Sequence, residues 1–366
     1  MLSRDKEDFH HYWIQMEKNY KLAIIIPCWN CENEIAQMFD CVLQQSFQDW
    51  RVFCVDDQSL DNTLPILQKY SKVDDRIHYM VRDREPKGAQ TCRNIGFNQA
   101  EGAEYIIWFD ADDIIAPCCF EQRVSYMDKH PDLDFGVFPA KSFINDIWDK
   151  DTGKCYGFPF FEDSLGAMLN WTLPMVGWTN IYRRSSLVVS GHKWDENILS
   201  MQDSDFNIQS LIKGLRFNYA VTEGAKVDYF HRLEQNKSSV SHGIHSVPHF
   251  SSHIYFLTKI TESLSQEQKK KYKENLQMYF SSFAEFFVKD PSYYAKILNI
   301  PWVKGNFLFY HRLKLWAVFG FRMGHKLFLR DIYKQRDIIW NSWKVQMKNK
   351  TQEIVDLELN NCIMSV

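Results

Sequence analysis

Strand and helix patterns alternate at short intervals through the first 110 residues, and this rhythm predicts an α/β fold with a mostly parallel, doubly wound sheet. Two observations support it. The strand candidates are unbroken apolar runs such as Leu22-Ala23-Ile24-Ile25-Ile26, the pattern of strands covered on both faces. The residues best suited to chemistry, around Trp29, Asp57, Gly88 and Asp110 to Asp113, fall along one edge of such a sheet. That edge lies beyond the carboxyl ends of the strands, where these sheets bind ligands.

The totals set the frame. At 366 residues the chain is long enough for one large α/β domain with an appendage, or for two domains. Hydrophobic residues make up 45% and charged residues 24%, as in an ordinary globular chain. A net charge of −3 gives no argument for a nucleic-acid partner, and none is expected. Aromatics reach 15%; core packing accounts for most of them, and a sugar-binding cleft or a membrane-surface helix would use the rest. The charged N-terminus has no apolar core of the kind a secretory signal needs, and no run of about 18 apolar residues suits a membrane span. The nine Cys are scattered, and the Cys28/Cys31 pair has no second pair at zinc-finger spacing. They read as reduced thiols of a cytoplasmic protein.

Residues 1–20 form a polar lead-in. Leu22 to Pro27 is a buried strand stopped by proline. Ile35, Met38, Phe39, Val42 and Leu43 give helical spacing within 32–47. Arg51 to Val55 is the second strand. A helix follows over 61–72 with Asp61 as its N-cap. Ile77 to Val81 is the third strand, Gly88 to Ala100 a helix, and Tyr105 to Phe109 the fourth strand. That strand runs straight into Asp110-Ala111-Asp112-Asp113. If strand geometry persists, Asp110 and Asp112 share a face and repel unless a cation lies between them. A hard divalent ion that leaves room for phosphate oxygens suits such a pair. An acidic turn that ends the strand is the simpler reading of this run taken alone.

After Phe138 the rhythm breaks. Residues 140–200 are loop-rich and aromatic, with Trp148, Trp171, Trp178 and Trp194. A helix is expected over Asp203 to Leu211, a short strand over Phe217 to Val221, and helices over 252–290. Residues 304–330 hold six Lys or Arg and no Asp or Glu. At about 100° per residue their basic side chains fall in one arc, with Phe309, Leu313, Trp316, Phe321, Met323, Leu327 and Phe328 opposite. A helix lying in a membrane interface has this pattern, and so does a helix packed on the main domain with a basic outer face. Gly320 and Gly324 argue against one continuous helix.

The ordered motifs over residues 22–140 resemble the family 2 glycosyltransferases, which have the GT-A fold. They are Ile26-Pro27-Cys28-Trp29-Asn30, Gln45-Ser46-Phe47-Gln48-Asp49-Trp50, Val55-Asp56-Asp57-Gln58-Ser59-Leu60-Asp61-Asn62-Thr63, Gly88 with Arg93-Asn94-Ile95-Gly96, and the DxD of Asp110-Ala111-Asp112. The resemblance implies a GT-A domain over 21–245, with a nucleotide-sugar half (21–140) and an acceptor half (141–245). Residues 246–366 then form the helical C-terminal region.

The resemblance also implies roles. Pro27, Trp29, Asn30, Asp57, Gly88, Arg93, Asp110, Ala111 and Arg232 would contact the nucleotide sugar, with Trp29 stacking on the base and Asp57 accepting from it. Asp112 would be the main ligand of Mn²⁺ or Mg²⁺, with Asp110, Asp113 and His231 assisting. Downstream, Tyr182-Arg183-Arg184, Asp195-Glu196 and Gln202-Asp203 stand where the family has its next segments. Asp203 would be the general base, and Gln202 departs from the family's Glu. Glu234 stands where a His is common, leaving His231 or His242 as a metal ligand. Arg183, Arg184 or Arg232 would pair with the diphosphate. The expected reaction is inverting transfer from a nucleoside-diphosphate sugar, UDP favoured, to a hydroxyl of a glycan or lipid-linked glycan acceptor. Surface-polysaccharide assembly at the inner membrane face is the expected setting. A nucleotidyltransferase is the first rival, but the loop after the first strand has neither glycine nor a basic residue. A non-catalytic nucleotide-sugar-binding protein of the same fold is the second.

Overall fold

The computed structural model describes residues 19–147, 154–233, 247–287 and 291–361. A seven-stranded sheet forms its centre, in the order β10-β6-β9-β4-β1-β2-β3. These strands are β1 (Tyr20–Cys28), β2 (Trp50–Asp56), β3 (Ile77–Val81), β4 (Ala103–Trp108), β6 (Phe135–Val137), β9 (Asn180–Arg183) and β10 (Phe217–Tyr219). The pairs of β1 with β2 and β4, of β2 with β3 and of β10 with β6 are parallel; β9 runs antiparallel to both β4 and β6. The expected halves therefore share one sheet. The expected boundary at 245 lies outside the described residues, as does Trp148.

The apolar runs explain the layering. Leu22, Ile24 and Ile26 of β1 pack on one face with helix α1 (Ile35–Leu43), while Ala23 and Ile25 pack on the other with Trp108 and Trp194. Both faces are covered, as continuous apolar strands require. Helices α2 (Thr63–Val73), α3 (Ala89–Gln99) and α4 (Cys119–Lys129) complete the wrapping. The N-cap of α2 is Asn62, not Asp61. The Asp61 carboxylate accepts from Thr63 N at 3.0 Å and from Glu32 N at 3.1 Å, so it fastens the loop after β1 to the loop after β2. The last strand of the sheet is shorter than expected: β10 ends at Tyr219 and a 3-10 turn, Ala220–Glu223, follows.

A second sheet, β5-β11-β7-β8, flanks the carboxyl edge of the first. It comprises β5 (Ile114–Ile115), β7 (Ala140–Phe143), β8 (Cys155–Tyr156) and β11 (Tyr229–Arg232). The C-terminal helices have their own core, which also takes in Leu165, Met168 and Ile208 of the sheet domain. Helix α8 (Val247–Ser263) reaches the loop over 195–201: Lys259 Nζ bonds Asp195 at 2.7 Å and Asp205 at 2.6 Å, and Leu199 N donates to Ser252 Oγ at 2.8 Å.

The segment 304–330 is not one straight helix. Arg312 on the helix Phe307–Gly324 donates to the carbonyl of Phe328 and pairs with Asp331. A straight helix would hold positions 16 residues apart at about 24 Å. The chain therefore doubles back, as the two glycines suggested, before the helix Arg330–Asn361. The expected apolar face divides accordingly. Phe309, Leu313 and Trp316 are buried, while Met323 and Leu327 are exposed.

Candidate active site

The site assembles where strands β1 to β4 end. Trp29 follows β1 and is 47% exposed, with the Lys87 ammonium 4.4 Å from its ring. Pro27 lies within β1, opposite Val55. Asn30 takes a positive φ of 49°. Its side-chain oxygen accepts from Leu60 N at 2.8 Å, and its own N–H donates to Ser59 Oγ at 2.9 Å. Asp57 is buried and paired with the guanidinium of Arg82, which lies directly after β3. Gly88 starts α3 at φ 140°, a conformation side chains resist, and a Cβ there would press on the Gln90 amide at 2.7 Å.

Two connected clusters of charge follow. The first is built on Arg93 of α3. Its guanidinium donates to Asp110 Oδ1 at 2.7 Å and to Gln202 Oε1 at 3.0 Å, and it lies 4.4 Å from the Trp194 ring. Gln202 opens helix α7 (Gln202–Ile212), so Arg93 ties the DxD turn to the helix that carries Asp203. Asp203 Oδ1 accepts from Gly177 N at 3.0 Å. Burial pushes the Asp203 carboxyl up; Arg93 opposes the shift and the Asp110 charge adds to it. A carboxyl raised in this way holds a proton more tightly than an ordinary carboxylate.

The second cluster surrounds Asp112. The strand ends at Trp108, so a turn, not strand alternation, brings the acidic residues together. Ala111 is buried beneath them. Asp113 spends both oxygens internally: on Tyr229 Oη, on Arg232 N at 2.7 Å and on His231 Nδ1 at 3.2 and 3.3 Å. Burial alone would lower the His231 pKa, but the charge and hydrogen bond of Asp113, together with the charges of Asp110 and Asp112, outweigh it and hold the ring above its usual range. Arg232 donates through Nε to the Asp112 carbonyl at 2.8 Å and through Nη2 to Gln37 Oε1 at 2.7 Å, bracing the turn against α1. The Asp112 carboxylate takes a hydrogen bond from its own backbone N–H, and none of the described side chains donates to it. Burial first, then the charges of Asp113 and Asp110, push it up to about 8.

That donor set suits a cation which takes few protein ligands. Among the described residues no three His, Cys, Asp or Glu side chains converge as a ready-made metal site. Asp112 and the free oxygen of Asp110 remain open, and the other positions would fall to phosphate oxygens and water. Asp113 has no oxygen left over. His242 and the residues near it, Glu234, Ser239 and Ser241, lie outside the described residues.

Two expected residues are elsewhere. Arg183 pairs in register with Tyr105 at the start of β4, the opposite edge of the sheet. It donates to the carbonyls of Leu133, Met127 and His130. Arg184 lies over Phe97, and its charge reaches Tyr20 at the start of β1. Neither can meet a diphosphate beyond the carboxyl ends. The Asp195-Glu196 pair is structural: Glu196 takes Arg84 in two bonds of 2.6 and 2.7 Å and Asn94 at 2.7 Å. Sequence reading missed Arg82, although it directly follows a strand on the ligand edge. It also missed the Gly177 N–H, which no pattern marks.

Residues 23–189, a little under half of the chain, match the model of the glycosyl transferase family 2, so this segment is a family 2 glycosyltransferase domain. It is 30% identical over 208 residues to the poly(ribitol-phosphate) beta-N-acetylglucosaminyltransferase TarS of Staphylococcus aureus, covering 54% of this chain and 34% of TarS. It is 33% identical over 112 residues to the Escherichia coli UDP-Glc:alpha-D-GlcNAc-diphosphoundecaprenol beta-1,3-glucosyltransferase WfgD, covering 31% of this chain and 43% of WfgD. The chain thus spans less than half of either relative. The structure of S. aureus TarS 1–349 in complex with UDP-GlcNAc superposes with a TM-score of 0.56 at 17% identity, over 93% of this chain and 92% of that one. The fold is therefore GT-A with a C-terminal helical region.

Proposed function

We propose that the chain moves a sugar from a nucleoside diphosphate, UDP favoured, to a hydroxyl of a glycan or lipid-linked glycan acceptor. The transfer inverts the anomeric centre and serves surface-polysaccharide assembly at the inner face of the membrane. The observation that carries this reading is the linkage of Asp203 to the DxD turn through Arg93 and Gln202. It holds a buried, proton-accepting carboxylate beside the acidic edge. TarS, a poly(ribitol-phosphate) N-acetylglucosaminyltransferase, and WfgD, a glucosyltransferase that acts on GlcNAc-diphosphoundecaprenol, support the substrate class.

In this reading Trp29 offers its exposed face to the base, and Asp57, fixed by Arg82, accepts from the base edge. Arg232 keeps the Asp112 turn in place from below. Mn²⁺ or Mg²⁺ on Asp112 and Asp110 would supply positive charge to the leaving diphosphate. His231, expected as a further ligand, is held by Asp113 and, among the described residues, does not converge with them as a third ligand. Asp203 takes the proton of the acceptor hydroxyl as that oxygen attacks from the face opposite the diphosphate. General-base help of this kind contributes about 10²–10⁴ in rate.

The test is a panel of nucleotide sugars with Mn²⁺ and an acceptor extract, scoring nucleoside-diphosphate release with and without chelator. Chelator-sensitive release from one donor that Asp203→Asn abolishes, with nucleotide binding by calorimetry retained, is the expected result. Release by Asp203→Asn at the wild-type rate would remove Asp203 from the base role. Absence of nucleotide binding would favour a non-catalytic protein.

A further inference from the structure

The helix Phe307–Gly324 is apolar on two sides. Phe309, Leu313 and Trp316 fill the core of the C-terminal region. On the outer side Phe307, Leu308 and Val318 are 75%, 71% and 73% exposed, and Phe319, Met323 and Leu327 continue the exposed strip. The outer side is mixed, since Lys314 is exposed on the same helix, but its large apolar side chains are open and within the described residues nothing covers them. The segment itself carries charge of one sign, since 304–330 contains no Asp or Glu, although Arg312 is paired with Asp331. At the N-terminal end of this helix a groove of about 470 Å³ opens between helices, lined by Lys269, Lys270, Lys273, Trp302 and Asn306, with Glu262 the single acidic residue. The three lysines make no ion pair among the described residues. Asn306 of the groove directly precedes Phe307, so the basic and apolar surfaces are continuous.

We infer that this face seats the chain on an anionic lipid surface, with Phe307, Leu308, Val318 and Phe319 entering the acyl boundary and Lys269, Lys270 and Lys273 meeting the headgroup phosphates. Apolar side chains beside unpaired lysines fit that boundary. A second copy of the chain fits poorly, because a twofold contact would set the same lysines against one another. Spanning is not involved: no described helix is long and apolar enough to cross a membrane. The inference takes its purpose from the proposed lipid-linked acceptor, but it stands on lipid binding alone. It is measured without donor or acceptor, so failure here would leave the transferase reading intact.

The experiment is flotation of the full chain with phosphatidylcholine vesicles, with and without phosphatidylglycerol. Salt-sensitive binding to the anionic vesicles alone is expected. The combined Lys269→Gln, Lys270→Gln and Lys273→Gln variant should weaken it by about fivefold per lysine. The combined Leu308→Ser, Val318→Ser and Phe319→Ser variant should lose it by on the order of tenfold or more. Both variants should melt as the wild type does, since these side chains are on the surface. Absence of binding by the wild type at low salt overturns the inference, as does undiminished binding by both variants. A wild-type dimer that the serine variant dissociates, without vesicle binding, would show that a second copy covers the face.

Discussion

Replacing Gly177 with alanine tests the base assignment without touching Asp203. The backbone N–H that donates to Asp203 stays in place. A Cβ at this position would stand 2.6 Å from Asp203 Oδ1 and 2.9 Å from a ring carbon of Trp194. The first distance is about 0.8 Å short of ordinary contact. Trp194 cannot give way, because it is buried, stacked on Phe206 at 4.2 Å and set edge-on to Trp108 at 5.6 Å. The carboxylate must therefore retreat. Misplacing a catalytic group by about 1 Å can cost about 10²-fold in rate, so kcat should fall by roughly that factor. Nucleotide affinity by calorimetry should hold, since Trp29, Asp57 and Asp112 make no contact with Gly177. Some stability is lost as well, about 1–3 kcal/mol for overpacking, so rates are compared well below the melting range. Gly166→Ala, whose Cβ meets nothing nearer than 3.4 Å, serves as the control. A Gly177→Ala enzyme within twofold of wild-type kcat would refute the placement of Asp203 at the reacting hydroxyl.

Two further outcomes concern stability. Arg123 and Asp228 are fully buried and joined by bonds of 2.9 and 2.7 Å, and Arg123 also donates to the Trp178 carbonyl at 2.9 Å. Arg123→Ala leaves the Asp228 charge alone inside the fold and should cost about 3–5 kcal/mol in urea denaturation; a loss under about 1 kcal/mol would contradict that. His192 and His78 are held neutral, pushed down to about 3 and about 4 by burial first and then by the nearby charges of Lys213 and Arg51. Below a pH of about 6.5 the unfolded chain takes up protons that the folded chain refuses. Stability from these histidines is thus complete above that pH and is lost as pH falls toward 4. The slope is at most about 1.4 kcal/mol per pH unit for each. His192→Gln should remove its share of that slope, which separates it from carboxylates titrating over the same range; identical slopes in the two proteins would count against it.

Much of the carboxyl edge of the sheet was legible in the sequence. Strands β1 to β4 are consecutive βα units with apolar runs, and the neighbouring order of β1, β2 and β3 follows from the preference for adjacent, parallel connections; β4 instead crosses back to pair with β1, which local pattern does not specify. Asp110 and Asp112 were named from the acidic run after a strand and Arg93 and Asp203 from the family resemblance, and the fold links Asp110, Arg93 and the helix that carries Asp203. Asp57 and Asn30 were also placed at this edge, but their partners Arg82, Ser59 and Leu60 come from other loops, so their bonds were invisible.

The sequence by itself determined the α/β class, the ligand edge and the acidic turn, because each is written in residues close along the chain. Tertiary structure alone decided the rest. β9 is four residues long, too short for a periodic signal, yet it enters the sheet between β4 and β6 and carries Arg183 to the far edge. The turn at Gly177 and the helix at Gln202 lie 25 residues apart, and only packing against Trp194 brings that N–H to Asp203. A single helical wheel assumed a straight axis through 304–330; the reversal divides its apolar face into a core side and an exposed side. Which side a residue takes is fixed by what packs against it, and that partner lies elsewhere in the chain.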